Sequence, residues 1–221
     1  MNSGQSRSKK SIINSMALVA VSLFFNGFGI YLTIRADIGV GPWDVFNLGL
    51  SKSLGILYGT ASILVASVIL CIDISMKEPI GIAMFIDAIV VGKSVDFFEY
   101  IDMIPCPNGI FGSVMMLFAG LVIMGYTQFF YMRAALGCGP RDTLLVGLSK
   151  RLARIPIGII SIGLLSAATF IGYLLGGPVG IGTIICTFCS GPIMQAAFKT
   201  VHFEATKIHH YGLQDTLRTL F

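Results

Sequence analysis

Four long stretches of this chain contain no Asp, Glu, Lys or Arg: residues 11–34, 53–72, 103–132 and 155–198. A helix needs about 20 mostly apolar residues to cross a bilayer core. The last stretch has 44 residues and is broken by Gly176-Gly177-Pro178, so it holds two such helices. A further apolar segment, 79–98, carries Asp87, Lys93 and Asp96. Six long spans result, with short polar connections. Of the 221 residues, 55% are hydrophobic and 12% charged, at a mean hydropathy of +0.84. A soluble domain carries about a quarter charged residues, so a soluble enzyme, a disordered tail and a nucleic-acid module are all excluded. The chain reads as an all-α polytopic membrane protein.

The net charge of +4 rests on 15 Lys and Arg, which act as topology signals beside the spans and not as a nucleic-acid surface. The polar, basic start MNSGQSRSKK leads into an apolar run too long for a cleaved signal peptide. Residues 1–10 are therefore expected to stay in the cytoplasm. Five cysteines are scattered, and only Cys186 and Cys189 form a C-x-x-C, inside an apolar run without a nearby His. They read as small helix-packing residues, so no metal site and no cofactor is expected. Gly120, Gly125, Gly158, Gly163, Gly172 and Gly176 are expected to allow close helix packing as well.

The chain repeats itself. Residues 35–52, RADIGVGPWDVFNLGLSK, and 133–150, RAALGCGPRDTLLVGLSK, are identical at ten of 18 positions without a gap, at an offset of 98. Gly27 pairs with Gly125 at the same offset, and Pro79, Gly81 and Gly92 pair with Pro178, Gly180 and Gly191 at 99. Two related halves follow, residues 11–102 and 103–202, with a short polar tail at 203–221. In each motif, glycines interrupt the chain and a proline suits the first turn of a new helix. Asp44 and Asp142 then fall in that first turn, where a carboxylate opposes the helix dipole and is expected to cap it. Each new helix ends near Leu54 or Leu152. At about 1.5 Å per residue it spans only about 19 Å, short of a core of about 30 Å. Each half is thus three spanning helices plus one short half-helix. If the half-helices re-enter, the two halves are inverted, and twelve of the 15 Lys and Arg lie with a cytoplasmic N-terminus.

The paired motifs GVGPWDVFNLGLSK and GCGPRDTLLVGLSK, in a six-span chain of this length, resemble the YitT/YczE-type family of bacterial integral membrane proteins. The resemblance implies a duplicated helical domain in the bacterial inner membrane. It implies no catalytic residues, because the biochemical role of that family is largely uncharacterised. The C-terminal soluble domain that some YitT proteins carry is not expected here, since the tail from His202 is short and polar.

No hydrolase, metalloprotease or phosphate-loop signature occurs, and all three histidines, His202, His209 and His210, fall in the tail, expected to be solvated or near headgroups. The chain is not expected to be an enzyme. A binding site is expected instead where the two half-helix N-termini point to the midplane, with Arg35, Asp37, Trp43, Asp44, Arg133, Arg141 and Asp142 projecting into it. Asp87 joins them, because a carboxylate deep in a span usually faces an interior or a water-filled cavity. Lys93 and Asp96 are expected to pair at an interface, and Asn26, Asn47 and Gln128 to bond between helices. Helix dipoles and three arginines lean the substrate toward a small anion or zwitterion. The leading reading is a small-solute transporter or channel. The alternatives are a membrane-embedded accessory or regulatory protein, and a substrate-capturing subunit of a larger transporter; a homo-oligomer or a partner protein is compatible with each.

Overall fold

In hydrocarbon no water satisfies a backbone N–H or C=O, so an apolar segment there becomes a helix and any break in it must find partners in the protein. The computed structural model describes residues 9–203 with Leu213, Thr216 and Thr219. It contains α1 (Lys9–Arg35), α2 (Pro42–Leu54), α3 (Tyr58–Ser75), α4 (Ile82–Ile101), α5 (Ile110–Arg133), α6 (Pro140–Arg151), α7 (Ile157–Leu174) and α8 (Ile181–Thr200). Among the described residues α1, α3, α5, α7 and α8 are long and apolar enough to cross a membrane. α4 is as long as α8 but carries Asp87, Lys93, Asp96 and Glu99. α2 and α6 have 13 and 12 residues, and each starts on a proline.

The centre of the bundle is the crossing of α1 and α5. A Cβ on Gly29 would lie 2.9 Å from the Gly120 carbonyl oxygen, and one on Gly120 would lie 2.6 Å from that of Gly29. Two backbones in contact leave no room for a side chain, which is why glycine stands at both positions. α4 packs on α1 and α8 on α5; α2 lies along α7, while α3 lies along α4 and α6. Gly172 meets the backbone of α2 at Phe46, and Gly125 is in ordinary contact with α8 at 3.5 Å. Gly158 and Gly163, by contrast, meet nothing within 4 Å, so close packing at these two is corrected. Cys186 is buried and Cys189 partly so, whereas Cys71 and Cys106 are exposed.

The connections that follow α1 and α5 share one backbone path. Asp37 and Ala135 take φ 51° and 58°, and Gly39 and Gly137 take 101° and 112°, a region that favours glycine. Each path docks on the start of a distant helix. The Gly182 N–H donates to Ile38 O at 2.7 Å, and the Ala83 N–H donates to Leu136 O at 3.2 Å.

Side-chain pairs gather the remaining ends. Arg35 pairs with Asp102, and the Tyr31 hydroxyl donates to Ile104 O at 3.4 Å. Near the other end of α4, at the end of α6, Lys150 pairs with Glu78 at 2.5 Å and Arg151 donates to Met76 O at 2.9 Å. His202 is exposed, while farther along the tail Thr216 is fully buried and the Leu213 N–H donates to Ile80 O at 2.8 Å. His209 and His210 lie outside the described residues.

The central crossing makes a contrast to measure. Gly120→Val forces α1 and α5 apart and is expected to cost about 1–3 kcal/mol in detergent unfolding. Gly163→Ala, facing open space in α7, is expected to change stability by less than about 0.5 kcal/mol.

Candidate functional site

Pro42 and Pro140 open α2 and α6, so the next two residues of each, Trp43 and Asp44 or Arg141 and Asp142, stand in a first turn. Both first turns line the same internal cavity, of about 390 Å³. There the Arg141 guanidinium lies 5.2 Å from the centre of the Trp43 ring, a cation–π contact between equivalent positions of the duplicated motif. Among the described residues Arg141 makes no ion pair within 4.0 Å, although it lies in the field of Asp44, Asp87 and Asp142.

Asp44 is buried, and its Oδ1 accepts the Tyr58 hydroxyl at 2.7 Å. The same hydroxyl accepts Asn47 Nδ2 at 3.3 Å, which ties α2 to the start of α3. Asp142 reaches the cavity without a hydrogen bond among the described residues. Asp44 and Asp142 stand in the first turns of α2 and α6, where a carboxylate opposes the helix dipole, and the N-cap residues themselves are glycines without a side chain. One is held by a tyrosine and the other faces the cavity.

Asp87 comes from α4 and lies against the start of α6: its Oδ2 would be 3.0 Å from a Cβ on Gly139. Cys186 of α8, its partner at an offset of 99, lies the same way against Gly41, at 4.0 Å. One half thus presents a carboxylate where the other presents a thiol. The Tyr131 hydroxyl lies 3.8 Å from that same point on Gly139, in a side chain only 3% exposed and without a hydrogen-bond partner among the described residues. Sequence reasoning missed Tyr58 and Tyr131, because both fall in or beside apolar runs where a tyrosine counts as hydrophobic. Asn47, three residues after Asp44 in the same short helix, was a hint of a network there.

The structure therefore brings together Trp43, Asp44, Asp87, Arg141 and Asp142, and leaves three expected residues elsewhere. Arg35 is held at the bundle end by Asp102 and by the Tyr31 hydroxyl, 3.1 Å away. Asp37 is exposed in the left-handed connection after α1. Arg133 is exposed and packs over the Phe129 ring at 5.9 Å. The three arginines do not meet inside the cavity, which is lined by three carboxylates and one guanidinium. Lys93 and Asp96 pair at 3.8 Å, and Asp96 Oδ1 also accepts the Gly59 N–H at 2.7 Å, joining α4 to α3. Asn26 bonds Thr127 across α1 and α5 at 3.0 Å. Gln128 lines the cavity. Among the described residues no His, Cys, Asp and Glu cluster is suited to a metal ion.

Residues 13–199 match a family of unknown function, DUF6198, and the chain belongs to that family. It is similar to the uncharacterized membrane protein YczE of Bacillus subtilis strain 168, with 27% identity over 189 residues, covering 85% of this chain and 86% of the relative. An uncharacterized protein of Haemophilus influenzae is 26% identical over 181 residues, with 82% and 81% covered. The uncharacterized protein YyaS of Bacillus subtilis is 27% identical over 189 residues, with 82% and 90% covered. No solved structure matches. With these helices and this relative, the protein is a multi-pass membrane protein.

The Tyr58 hydroxyl should matter through Asp44. Tyr58→Phe is expected to cost about 1.5–3 kcal/mol in detergent unfolding, the range for a hydrogen bond to a charged group. In an Asp44→Ala background the same change should cost much less, and equal costs in both backgrounds would remove the link.

Proposed function

We propose that this member of the DUF6198 family is a carrier of a small solute in the bacterial cytoplasmic membrane, built from two inverted repeats with cytoplasmic termini, and not an enzyme. The observation that supports the reading is the cavity shared by the first turns of α2 and α6, lined by Trp43, Asp44, Asp87, Arg141 and Asp142. A scaffold gains nothing from a guanidinium and carboxylates left without direct ion pairs, since unpaired charge at membrane depth is costly. Broken helices that face a central site are the usual way such charge is kept for a solute.

A second observation favours a carrier over a rigid assembly. α3 and α4 are in backbone contact, and a Cβ on Gly92 would lie 2.8 Å from the Gly59 carbonyl oxygen. Gly158 and Gly191, their partners at an offset of 99, meet nothing within 4 Å. Ser161 and Leu164 of α7, with Ser190 and Met194 of α8, instead line the cavity. In a carrier of this design, a second state closes α7 on α8 through Gly158 and Gly191 and parts α3 from α4. Cysteines at 158 and 191, in a chain whose five native cysteines are serine, should then cross-link under mild oxidation in membranes. No cross-link, with Gly59→Cys and Gly92→Cys joining readily, would leave the scaffold reading.

Inversion is supported by the sorting of ends, with Arg35 on Asp102 at one end and Lys150 on Glu78 at the other. Topology reporters fused after Leu54 and after Leu152 are expected on opposite sides of the membrane. The same side for both would sink the inversion.

A further inference from the structure

Four ionisable side chains reach the cavity: Asp44, Asp87, Asp142 and Arg141. With all four ionised, the carboxylates exceed the guanidinium by two charges. The N-termini of α2 and α6, each worth about half a positive charge, offset about one of these. About one negative charge is left inside a bundle where uncompensated charge is costly. The two arginines that would have favoured an anion, Arg35 and Arg133, sit at bundle ends.

We infer that the solute of this cavity is a small organic cation with one positive charge, held between Asp87 and Asp142. The inference rests on the carrier site proposed above and names its substrate class. The acceptors are in place for an ammonium group. Neither Asp87 nor Asp142, both on the cavity wall, receives a hydrogen bond among the described residues. A primary ammonium carries three N–H donors, and the oxygens of these two carboxylates can accept them. A metal ion is the poorer fit, because the carboxylates do not form a metal-type cluster among the described residues. The remaining walls mix apolar residues, Ile30, Leu121, Met124 and Leu164 among them, with uncharged polar ones such as Asn26 and Gln128. Its volume of about 390 Å³ lies in the range of small-molecule pockets, about 300–1,000 Å³. Arg141 then works against the solute: it supplies part of the positive charge that the carboxylates attract and covers the Trp43 face.

That sign distinguishes a cation site from an anion site. The purified full chain in detergent, at neutral pH and fixed ionic strength, is titrated with isosteric pairs, butylammonium against butyrate and benzylammonium against benzoate, while thermal unfolding is followed. The ammonium member of a pair should raise the unfolding temperature in a saturable way and the carboxylate should not. Asp142→Asn and Asp87→Asn should each raise the half-saturating concentration about tenfold or more. Asp142 faces the cavity, so its variant remains informative if Asp87→Asn does not fold. Arg141→Ala should lower that concentration. Saturable stabilisation by the carboxylates, lost in Arg141→Ala, overturns the inference, as does equal behaviour within every pair. Uptake of labelled butylammonium into proteoliposomes tests the carrier reading separately: saturable ammonium binding without uptake upholds the cation site and removes the carrier.

Discussion

Every feature of the site depends on how two broken stretches of backbone find hydrogen-bond partners at membrane depth. After α1 and α5 the chain leaves its helix, and the freed carbonyls of Ile38 and Leu136 have no water to turn to. They are met by the N–H groups of Gly182 and Ala83, at the first turns of α8 and α4, which themselves lack intrahelical partners. Each set of orphan groups satisfies the other. The exchange works only at close range: a Cβ on Gly39 would lie 2.6 Å from the Gly180 nitrogen, and one on Gly137 would lie 2.7 Å from the Gly81 Cα. Once docked, the two connections fix where α2 and α6 begin, and with that where their first turns point.

The same docking explains which charges end up inside. A residue in the first turn of α2 or α6 has no choice of direction, because the helix starts at the cavity wall. Arg35 and Arg133 end their own long helices, and a long side chain there reaches the nearest polar partner or surface. For Arg35 that partner is Asp102, across the end of α4. For Arg133 the stem lies on Phe129 and the head is exposed.

Much of this was legible in the sequence, and the limits have a physical cause. The Gly-x-Gly-Pro pattern places the starts of α2 and α6 at Pro42 and Pro140, and their ends fall within a residue of the expected Leu54 and Leu152. Asp87 was readable because a carboxylate in an apolar run needs a reason. The direction of Arg35 was not, since its partner Asp102 lies in a loop far along the chain, where composition says nothing of proximity. Tyr58 and Tyr131 were hidden for another reason. A hydropathy pattern weighs the ring of a tyrosine and ignores its hydroxyl, and here the hydroxyl does the work of holding Asp44 or facing Asp87. The openness at Gly158 and Gly191 could not be read either, because a glycine marks where helices can meet, not whether they do.

The connections after α1 and α5 share one backbone path, but the chemistry of the cavity comes from positions where the two motif sequences differ. Had both motifs kept arginine after the proline, two guanidiniums would have faced each other across the cavity; had both kept tryptophan, no cation would have stood there. Trp43 opposite Arg141 turns a repulsive or inert pair into an attractive one. Asp87 opposite Cys186 does the reverse for the carboxylates, placing an acid at the start of one short helix and a neutral thiol at the other. The cavity thereby acquires a polar axis: aromatic and cationic at the Trp43–Arg141 contact, acidic at Asp87 and Asp142. A solute with one charged group and one apolar end can lie along such an axis in a single orientation, which a symmetric site could not impose.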